Sequence, residues 1–260
     1  MTPSGIVTLL TDFGTRDPFV AVMKGVILSH EKRLRVVDVT HDIPRHAIAD
    51  AAFWLAQSYP WFPPGTVHVA VVDPGVGSAR VAVAVRAGGH VFVGPDNGTF
   101  ELVARRAREF EARLLSPARL GLPSPSRTFH GRDVFAPVGA ALASGALGFA
   151  DVGPLRELSV TRLVPDTELV GASVRGVVVV VDHFGNLITN LPAAAFPQGN
   201  ASRVTLGGHS LALVAAYSEV ALGEPGAVIG SFGTLEIFVR EGSAAALFAL
   251  GRGAAVSVGA

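Results

Sequence analysis

The chain has 260 residues, of which 49% are hydrophobic and only 16% are charged, and this composition excludes an intrinsically disordered protein. Its 21 basic and 21 acidic residues cancel, which argues against nucleic acid as a partner. Because cysteine is absent, disulfides, thiolate nucleophiles and iron–sulfur clusters are excluded as well. We expect a compact globular protein with one large domain or two unequal domains.

The sequence gives no sign of a membrane partner. No apolar run reaches the roughly 18 residues that a membrane span needs. The first residues lack the basic and apolar regions of a signal peptide. We therefore expect a cytoplasmic protein.

Short β-rich runs alternate with helix-like segments in the first half of the chain. The predicted strands cover residues 6–10, 35–39, 67–72, 81–85 and 91–93, and the predicted helices cover 19–29, 47–58, 99–108 and 134–144. Several of these strands are continuously apolar, as is typical of strands buried on both faces. The alternation predicts an α/β fold, with a three-layer α/β domain and a largely parallel sheet over residues 1–155.

The texture of the sequence changes in a polar stretch, 156–170, which we interpret as a linker. After it, the predicted strands cover residues 174–181, 203–206, 209–213, 227–229 and 235–239, with Gly, Pro and Asn turns between them. Hardly any segment there has a helical period. This pattern predicts a smaller all-β barrel domain over residues 171–260.

Polar segments interrupt the first domain at strand ends, where open α/β sheets place their ligands. The segment 73–80 carries Asp73, two glycines and Arg80, but a strand follows it, whereas a dinucleotide-binding loop must open a helix. A functional loop is favoured there over a plain turn. The segment 94–98 has ordinary turn chemistry, and the segment 11–17 fits a capping turn and a site equally well.

Two further segments carry candidate functional residues. His130 stands beside a glycine and two charged residues before a predicted helix, which core packing explains poorly. In the β-rich half, the ring of Phe184 between Asp182 and Asn186 could stack on a nucleobase, with a bulged turn as an equal alternative. A similar pattern follows at 231–236. The spacing of His41, Asp42 and His46 lacks the histidine pair of a zinc motif, so no metal site is predicted.

Taken in order, six segments resemble the S-adenosylmethionine hydroxide adenosyltransferase family, whose relatives include fluorinase and chlorinase. They span residues 11–14, 73–80, 94–98, 129–133, 182–186 and 231–237. The resemblance extends over nearly the whole chain. Together the six segments are far more specific than any one of them.

The resemblance implies an N-terminal α/β domain, a C-terminal β-barrel, and a homotrimer with active sites between subunits. The implied reaction is attack of water-derived hydroxide on C5′ of S-adenosylmethionine, which gives adenosine and methionine without a cofactor. The implied catalytic residues are Asp73, Arg80 and His130. The implied substrate contacts are Asp12 for the ribose, Phe184 and Phe232 for adenine, and Asp182, Asn186 and Ser231 for methionine.

One position departs from the pattern. Relatives often have an aromatic residue where this chain has His46, and the role of His46 is open. The source of the hydroxide is also open, because His130 could accept the proton of water or share it through Arg80, whose charge stabilises hydroxide. Asp73 would orient that pair.

Three other functions stay open from the sequence. The first is a halogenase, although halogenating relatives carry an aromatic or hydroxyl residue at Asp73 and a hydroxyl residue at Gly131. An anionic Asp73 would repel a halide. The others are a nucleoside-binding regulator without turnover and a metal-dependent phosphoesterase.

Overall fold

The protein is represented by a computed structural model, which describes residues 1–159, 161–196 and 203–259. The chain divides into two compact units, Met1–Leu163 and Val164–Ala260. The division falls inside the segment 156–170, whose role as a linker stays a prediction.

The first unit is built on a six-stranded sheet with the order β2-β1-β3-β5-β4-β6. Its strands are β1 (Ile6–Thr11), β2 (Arg35–Thr40), β3 (Val67–Val71), β4 (Ala82–Ala87), β5 (His90–Pro95) and β6 (Phe110–Leu114). Strands β2, β1, β3 and β5 are parallel, while β4 runs antiparallel to both of its neighbours. The predicted, largely parallel sheet is confirmed.

Helices cover both faces of this sheet. They are α1 (Phe19–His30), α2 (Ile48–Ser58), α3 (Glu101–Arg106) and α4 (Ala136–Ser144), and a π-helical turn, Gly131–Phe135, leads into α4. Side chains of α1 and α4 pack on Val7 and Val69, on one face of the sheet. On the other face, Tyr59, which follows α2, packs on His68 and Phe92. None of the helices in the described ranges is long and apolar enough to cross a membrane.

The second unit is a closed β-barrel, as predicted. Its strands are β7 (Glu168–Val170), β8 (Ser173–Val181), β9 (Leu187–Pro192), β10 (Arg203–Leu206), β11 (His209–Val214), β12 (Pro225–Ile229), β13 (Thr234–Val239) and β14 (Ala255–Gly259), with a short helix α5 (Ala244–Phe248). The order β14-β10-β11-β12-β13-β9-β8 closes through pairing of β14 with β8, and β7 adds to β8. Buried aliphatic residues such as Leu187, Leu235 and Ile237 fill its core.

Candidate active site

The candidate site lies where the parallel strands of the first unit end. In the sheet, Thr11 of β1 is aligned with Val71 of β3. The segments after these strands therefore leave the sheet side by side at its carboxyl edge, where open α/β sheets bind ligands. The predicted site residues Asp12 and Asp73 both belong to this edge.

The structure brings three predicted site residues into direct contact. Arg80 Nε donates to both carboxylate oxygens of Asp73 at 2.9 Å, and Arg80 Nη2 donates to Oδ2 as well. Nη2 also lies 2.8 Å from Nδ1 of His130, and the ring of Phe135 lies 5.3 Å from the guanidinium carbon. The side chains of Asp73 and Arg80 are only 5% and 12% exposed. We call this arrangement the Asp73–Arg80–His130 cluster.

Two glycines and a serine shape the loop 73–80. Gly77 has a φ of +75°, and a Cβ there would collide with the carbonyl oxygen of Arg127, so the position requires glycine. A Cβ on Gly75 would lie 3.2 Å from Cγ of Arg80, so this glycine leaves space for the arginine stem. Ser78 Oγ donates to the Gly75 carbonyl at 2.6 Å and accepts from the Arg80 N–H at 3.2 Å. The glycines thus let this loop approach the segment that leads to the histidine of the cluster.

His130 is held by the loop that precedes the π-helical turn. Asp133 in that turn accepts a hydrogen bond from the N–H of Ser126 at 2.9 Å, and the N–H of Phe129 donates to Ser126 Oγ at 3.2 Å. The hydrogen bond from Arg132 lowers the pKa of Asp133 to about 2. Asp133 therefore stays ionised near neutral pH and keeps this loop closed.

The surroundings of His130 favour a neutral ring. Burial and, after it, the charge of Arg80 lower the pKa of His130 below its ordinary value. Because a guanidinium only donates, Nδ1 of His130 accepts the hydrogen bond from Arg80 and carries no proton. The proton of the neutral ring is then on Nε2. From this atom, His130 offers an N–H donor rather than a lone pair, and the ring also forms a hydrogen bond with the backbone of Ser126.

Asp12, the predicted ribose contact, is tied to His46 through the backbone. The N–H of His46 donates to Asp12 Oδ2 at 2.9 Å, and the carboxylate is only 9% exposed. His46 has a φ of +64°, in the left-handed region that few side chains adopt, and its ring is exposed. This contact does not depend on the side-chain type at the position that departs from the relatives.

Three phenylalanines form a cluster that the sequence did not predict. The rings of Phe13, Phe19 and Phe129 meet edge to face, with centroids 5.3 to 6.0 Å apart. Phe13 follows Asp12, and Phe129 precedes His130. The cluster therefore links the two chain segments that carry these polar residues, and no periodic pattern in the sequence reveals it.

The turn 94–98, for which the sequence favours a structural role, makes contacts within the first unit. The side-chain amide of Asn97 donates to the carbonyl of Val72 at 2.9 Å, which fixes the end of β3 just before the cluster. The carboxylate of Asp96 accepts hydrogen bonds from the N–H and the hydroxyl of Ser159, both at 2.9 Å. This turn supports the candidate site from behind.

In the second unit, the predicted binding residues Asp182, Phe184 and Asn186 share the loop between β8 and β9. Asp182 Oδ1 accepts from the N–H groups of Phe184 and Asn186, and Oδ2 accepts from the Asn186 side chain, all at 2.9 Å. Gly185 has a φ of +82° and passes close to Ser243. The carboxylate thus organises the loop, and the ring of Phe184 stands 73% exposed on it.

The predicted residues Ser231 and Phe232 lie elsewhere in this unit, in the turn between β12 and β13. Pairing of Thr234 with Pro192 and of Ile237 with Leu187 places this turn at the opposite end of β9 from the 182–186 loop. The structure therefore does not gather all the predicted methionine contacts in one loop.

Glu236 is a buried carboxyl group in this unit that the sequence left without a role. Tyr217 donates to its Oε1 at 2.6 Å, and a Cβ on Gly230 would come 2.6 Å from its Oε2. Burial and the charge of Asp182 raise the pKa of Glu236. A carboxyl group after the Ser231-Phe232-Gly233 segment was visible in the sequence, but its burial was not.

Within the described ranges, no group of three or more His, Asp or Glu side chains is arranged to hold a metal ion. His41 and His46, the closest candidates in the sequence, each contact a different aspartate.

Fold and site together define a class: an α/β unit with an acid–arginine–histidine cluster at its carboxyl sheet edge, followed by a β-barrel unit with an exposed aromatic loop. The family model for the S-adenosylmethionine (SAM) hydroxide adenosyltransferase N-terminal domain matches residues 7–153, and the C-terminal domain of the same family matches residues 176–257. The chain belongs to the SAM hydroxide adenosyltransferase family.

Individual relatives agree with this assignment. An (R)-S-adenosyl-L-methionine hydrolase of Thermus thermophilus is 42% identical over 245 residues, which cover 92% of this chain and 93% of the relative. A protein of the same name from Salinispora tropica is 39% identical over 95% of each chain. Fluorinases of Actinoplanes and Actinopolyspora mzabensis are more distant, at 28% and 27% identity.

A solved structure shares the fold over the whole chain. The crystal structure of an uncharacterized conserved protein from Thermotoga maritima superimposes with a TM-score of 0.91 at 32% identity, and covers 98% of this chain and 100% of that protein.

Proposed function

We propose that this protein hydrolyses S-adenosylmethionine to adenosine and methionine. The observation that carries the proposal is the Asp73–Arg80–His130 cluster, at the carboxyl edge of a chain that belongs to this family. The relatives named (R)-S-adenosyl-L-methionine hydrolase support the same reaction.

In the proposed reaction, an oxygen atom of water bonds to C5′ while the bond between C5′ and sulfur breaks. The electron pair of that bond goes to sulfur, so the cationic sulfonium becomes the neutral thioether of methionine. One proton of the attacking water is released to the surrounding water. Because the sulfonium leaves without protonation, the protein has only to position the nucleophile and stabilise its developing charge.

The Arg80–His130 contact supports the route in which fixed donors stabilise hydroxide. Nδ1 of His130 is occupied by Arg80, so the ring can offer the nucleophile only its Nε2–H, which it shares with the backbone of Ser126. Arg80 Nη1 donates to none of the described residues and is a second donor for the same oxygen. Two donors bind hydroxide better than water and so lower the pKa of the bound water. Asp73 holds the guanidinium in place through its paired hydrogen bonds.

Substrate binding is proposed to use both units. The buried carboxylate of Asp12 suits two ribose hydroxyls, and the exposed ring of Phe184 suits the face of adenine. That Phe232 contacts adenine and that Asp182, Asn186 and Ser231 bind methionine stay predictions, because the turn of Ser231 and Phe232 lies at the opposite end of β9 from the loop of Phe184. As the resemblance implies, the enzyme would be a cytoplasmic homotrimer with sites between subunits.

The fluorinase relatives suggest a halogenase as the alternative function, and two observations argue against it. Asp73 places a buried carboxylate at the position where halogenating relatives carry an aromatic or hydroxyl residue. A Cβ on Gly131 would come 3.1 Å from Met23 Sδ and 3.2 Å from the ring of Phe129, so a hydroxyl side chain does not fit without displacing them.

Incubation with S-adenosylmethionine, followed by chromatography, tests the proposal. We expect adenosine and methionine to form, and we expect their rate of formation to be the same with chloride, without chloride and with a chelator. A chlorinated nucleoside would support the halogenase, and loss of activity on chelation would support metal-dependent chemistry. Tight adenosine binding without any product would indicate a regulator.

A further inference from the structure

The segments that follow β1 and β2 are interlocked beside the proposed ribose contact. The N–H of Gly14 donates to the carbonyl of His41 at 2.8 Å, and the N–H of His46 donates to Asp12 Oδ2 at 2.9 Å. In the sheet, Leu10 of β1 is aligned with Thr40 of β2. The position of the Asp12 carboxylate therefore depends on the segment that begins at His41.

A chain of side-chain contacts runs through this junction. Thr11 Oγ1 lies 2.8 Å from Nδ1 of His41, and Nε2 of His41 lies 3.1 Å from Oδ1 of Asp38, off the axis of the ring N–H. Lys24 Nζ donates to Oδ2 of Asp38 at 2.6 Å. At the other end, the N–H of Phe13 donates to Thr11 Oγ1 at 3.2 Å.

The hydrogen bonds at Thr11 fix which atom donates and which accepts in this series of contacts. Because Phe13 N–H only donates, it occupies a lone pair of Thr11 Oγ1, and the hydroxyl proton is free to bond Nδ1 of His41. With Nδ1 as the acceptor of this bond, the ring proton is on Nε2, which faces Asp38. Partial burial opposes ionisation of Asp38, but the hydrogen bond from Lys24 and the close approach of the His41 ring hold its pKa below the ordinary value.

Carboxylate, imidazole and hydroxyl in this order are also the groups of a hydrolytic triad, but Thr11 is not a nucleophile. Its side chain is completely buried, and its oxygen already bonds the N–H of Phe13 and the ring of His41. Phe13 and Thr11 are the two neighbours of Asp12 in the chain. The contacts of Thr11 therefore fix the backbone on both sides of the proposed ribose contact.

We propose that His41, oriented by Asp38, is a positioning residue that sets the Asp12 carboxylate for the substrate through Thr11. The inference rests on the proposed function, because it takes Asp12 as the ribose contact. A residue that binds substrate needs support from the residues behind it, since small displacements weaken its hydrogen bonds. Loss of the Thr11–His41 bond should therefore weaken binding of the adenosyl group and change the chemical step less.

The chain offers a matched control on the same strand. Thr8 of β1 also bonds a buried histidine through its hydroxyl, with Oγ1 2.7 Å from Nδ1 of His68, and both threonines are fully buried. The variants Thr11→Val and Thr8→Val remove the same kind of bond from the same strand, while valine keeps the shape and strand preference of threonine. Only the first bond lies beside Asp12.

We expect Thr11→Val to raise the KM for S-adenosylmethionine, and the Kd for adenosine in calorimetry, by about tenfold, with kcat changed much less. Thr8→Val should lower the melting temperature to a similar extent and leave both constants unchanged. Equal effects of the two variants on KM, or no effect of Thr11→Val, would overturn the proposal.

A second variant covers the case in which Thr11→Val does not fold. Asp38→Asn removes the charge at the partly exposed end of the chain of contacts, and we expect a smaller rise of KM, restored by Asp38→Glu. An unchanged KM in Asp38→Asn would overturn the proposal. If the wild-type protein forms no adenosine, the proposed function fails, while the calorimetric titration with adenosine still tests the positioning of Asp12.

Discussion

The loops 73–80 and 182–186 each begin with an aspartate after a strand, yet the two carboxylates have different partners. The carboxylate of Asp73 accepts hydrogen bonds from the guanidinium of Arg80, which in turn contacts His130. The carboxylate of Asp182 accepts hydrogen bonds from N–H groups of its own loop, and the ring of Phe184 is exposed. The first loop forms a buried charged cluster, and the second forms a hydrogen-bonded loop that presents an exposed ring. Chemistry and binding should therefore separate in kinetics.

The largest expected effect is on kcat, from the Asp73–Arg80–His130 cluster. The variants Asp73→Ala, Arg80→Ala and His130→Ala should each lower kcat by about 10²–10⁴-fold, because each removes part of one device that stabilises hydroxide. Adenosine binding, measured by calorimetry, should be nearly intact. A double variant should lose little more than the worse single variant, since residues that act as a unit are not additive. Fully multiplicative losses would make the three residues a binding cluster.

The second effect is on KM and tests the other loop. Phe184→Ala should raise KM by about tenfold to 150-fold, because a stacked ring contributes about 1–3 kcal/mol to substrate and transition state alike. Trp61→Ala is the control, since Trp61 is 80% exposed and outside the proposed site, and it should leave KM unchanged. A loss confined to kcat would show that the ring of Phe184 acts in the chemistry.

A third, smaller effect concerns how the first loop is built. Gly77→Ala should lower kcat by about tenfold, because the new Cβ meets the Arg127 carbonyl and moves the loop away from the histidine. Gly121→Ala is matched to it: Gly121 has a φ of +65° but no atom within 4 Å of its Cβ position. It should lose stability from backbone strain and keep its kcat. Similar kinetics for both variants would contradict the role of Gly77.

The smallest effect on activity is expected at a buried histidine pair outside the site. His68 Nε2 lies 3.2 Å from His90 Nδ1, and burial lowers the pKa of His68 to about 3 and also lowers the pKa of His90. In the unfolded chain, these histidines bind protons near the ordinary pKa of about 6.5. The contribution of the pair to the free energy of unfolding is therefore fully present above that pH and is lost as the pH falls toward 3.

The variant His68→Gln should keep wild-type kcat and KM. Its melting temperature should fall less steeply than that of the wild type between these pH values, because one group that must be protonated on unfolding is gone. Thermal unfolding followed at several pH values measures the slope. A slope equal to that of the wild type would show that the pair does not govern acid stability.

Much of the fold could be predicted because buried strands and amphipathic helices differ in period and composition. The regular alternation of strands and helices in the first half of the chain predicts the parallel sheet. Because such sheets bind ligands at the carboxyl ends of their strands, it also indicates the segments that carry Asp12 and Asp73. Three strands of the second unit were missed, and one of them, β7 (Glu168–Val170), lies in the segment predicted as a linker. The strand β9 (Leu187–Pro192) follows the 182–186 loop without any break in composition, and β14 (Ala255–Gly259) is short and rich in small residues.

The details of the site could not be predicted, because they depend on contacts between distant segments. The contact between Arg80 and His130 joins residues 50 positions apart, and it decides which nitrogen of the ring carries the proton. The contact between Asp12 and His46 uses a backbone N–H, so the unusual side chain at that position gave no clue to it. The collision that requires glycine at position 77 likewise depends on a carbonyl in another loop.

The most direct test of the proposed reaction follows the oxygen atom. Turnover of S-adenosylmethionine in water enriched in heavy oxygen, followed by mass spectrometry of both products, shows which carbon the nucleophile attacks. Attack at C5′ predicts one heavy oxygen in the 5′-hydroxyl of adenosine and none in methionine. Heavy oxygen in the amino-acid product, or unlabelled adenosine, would contradict the attack of water on C5′.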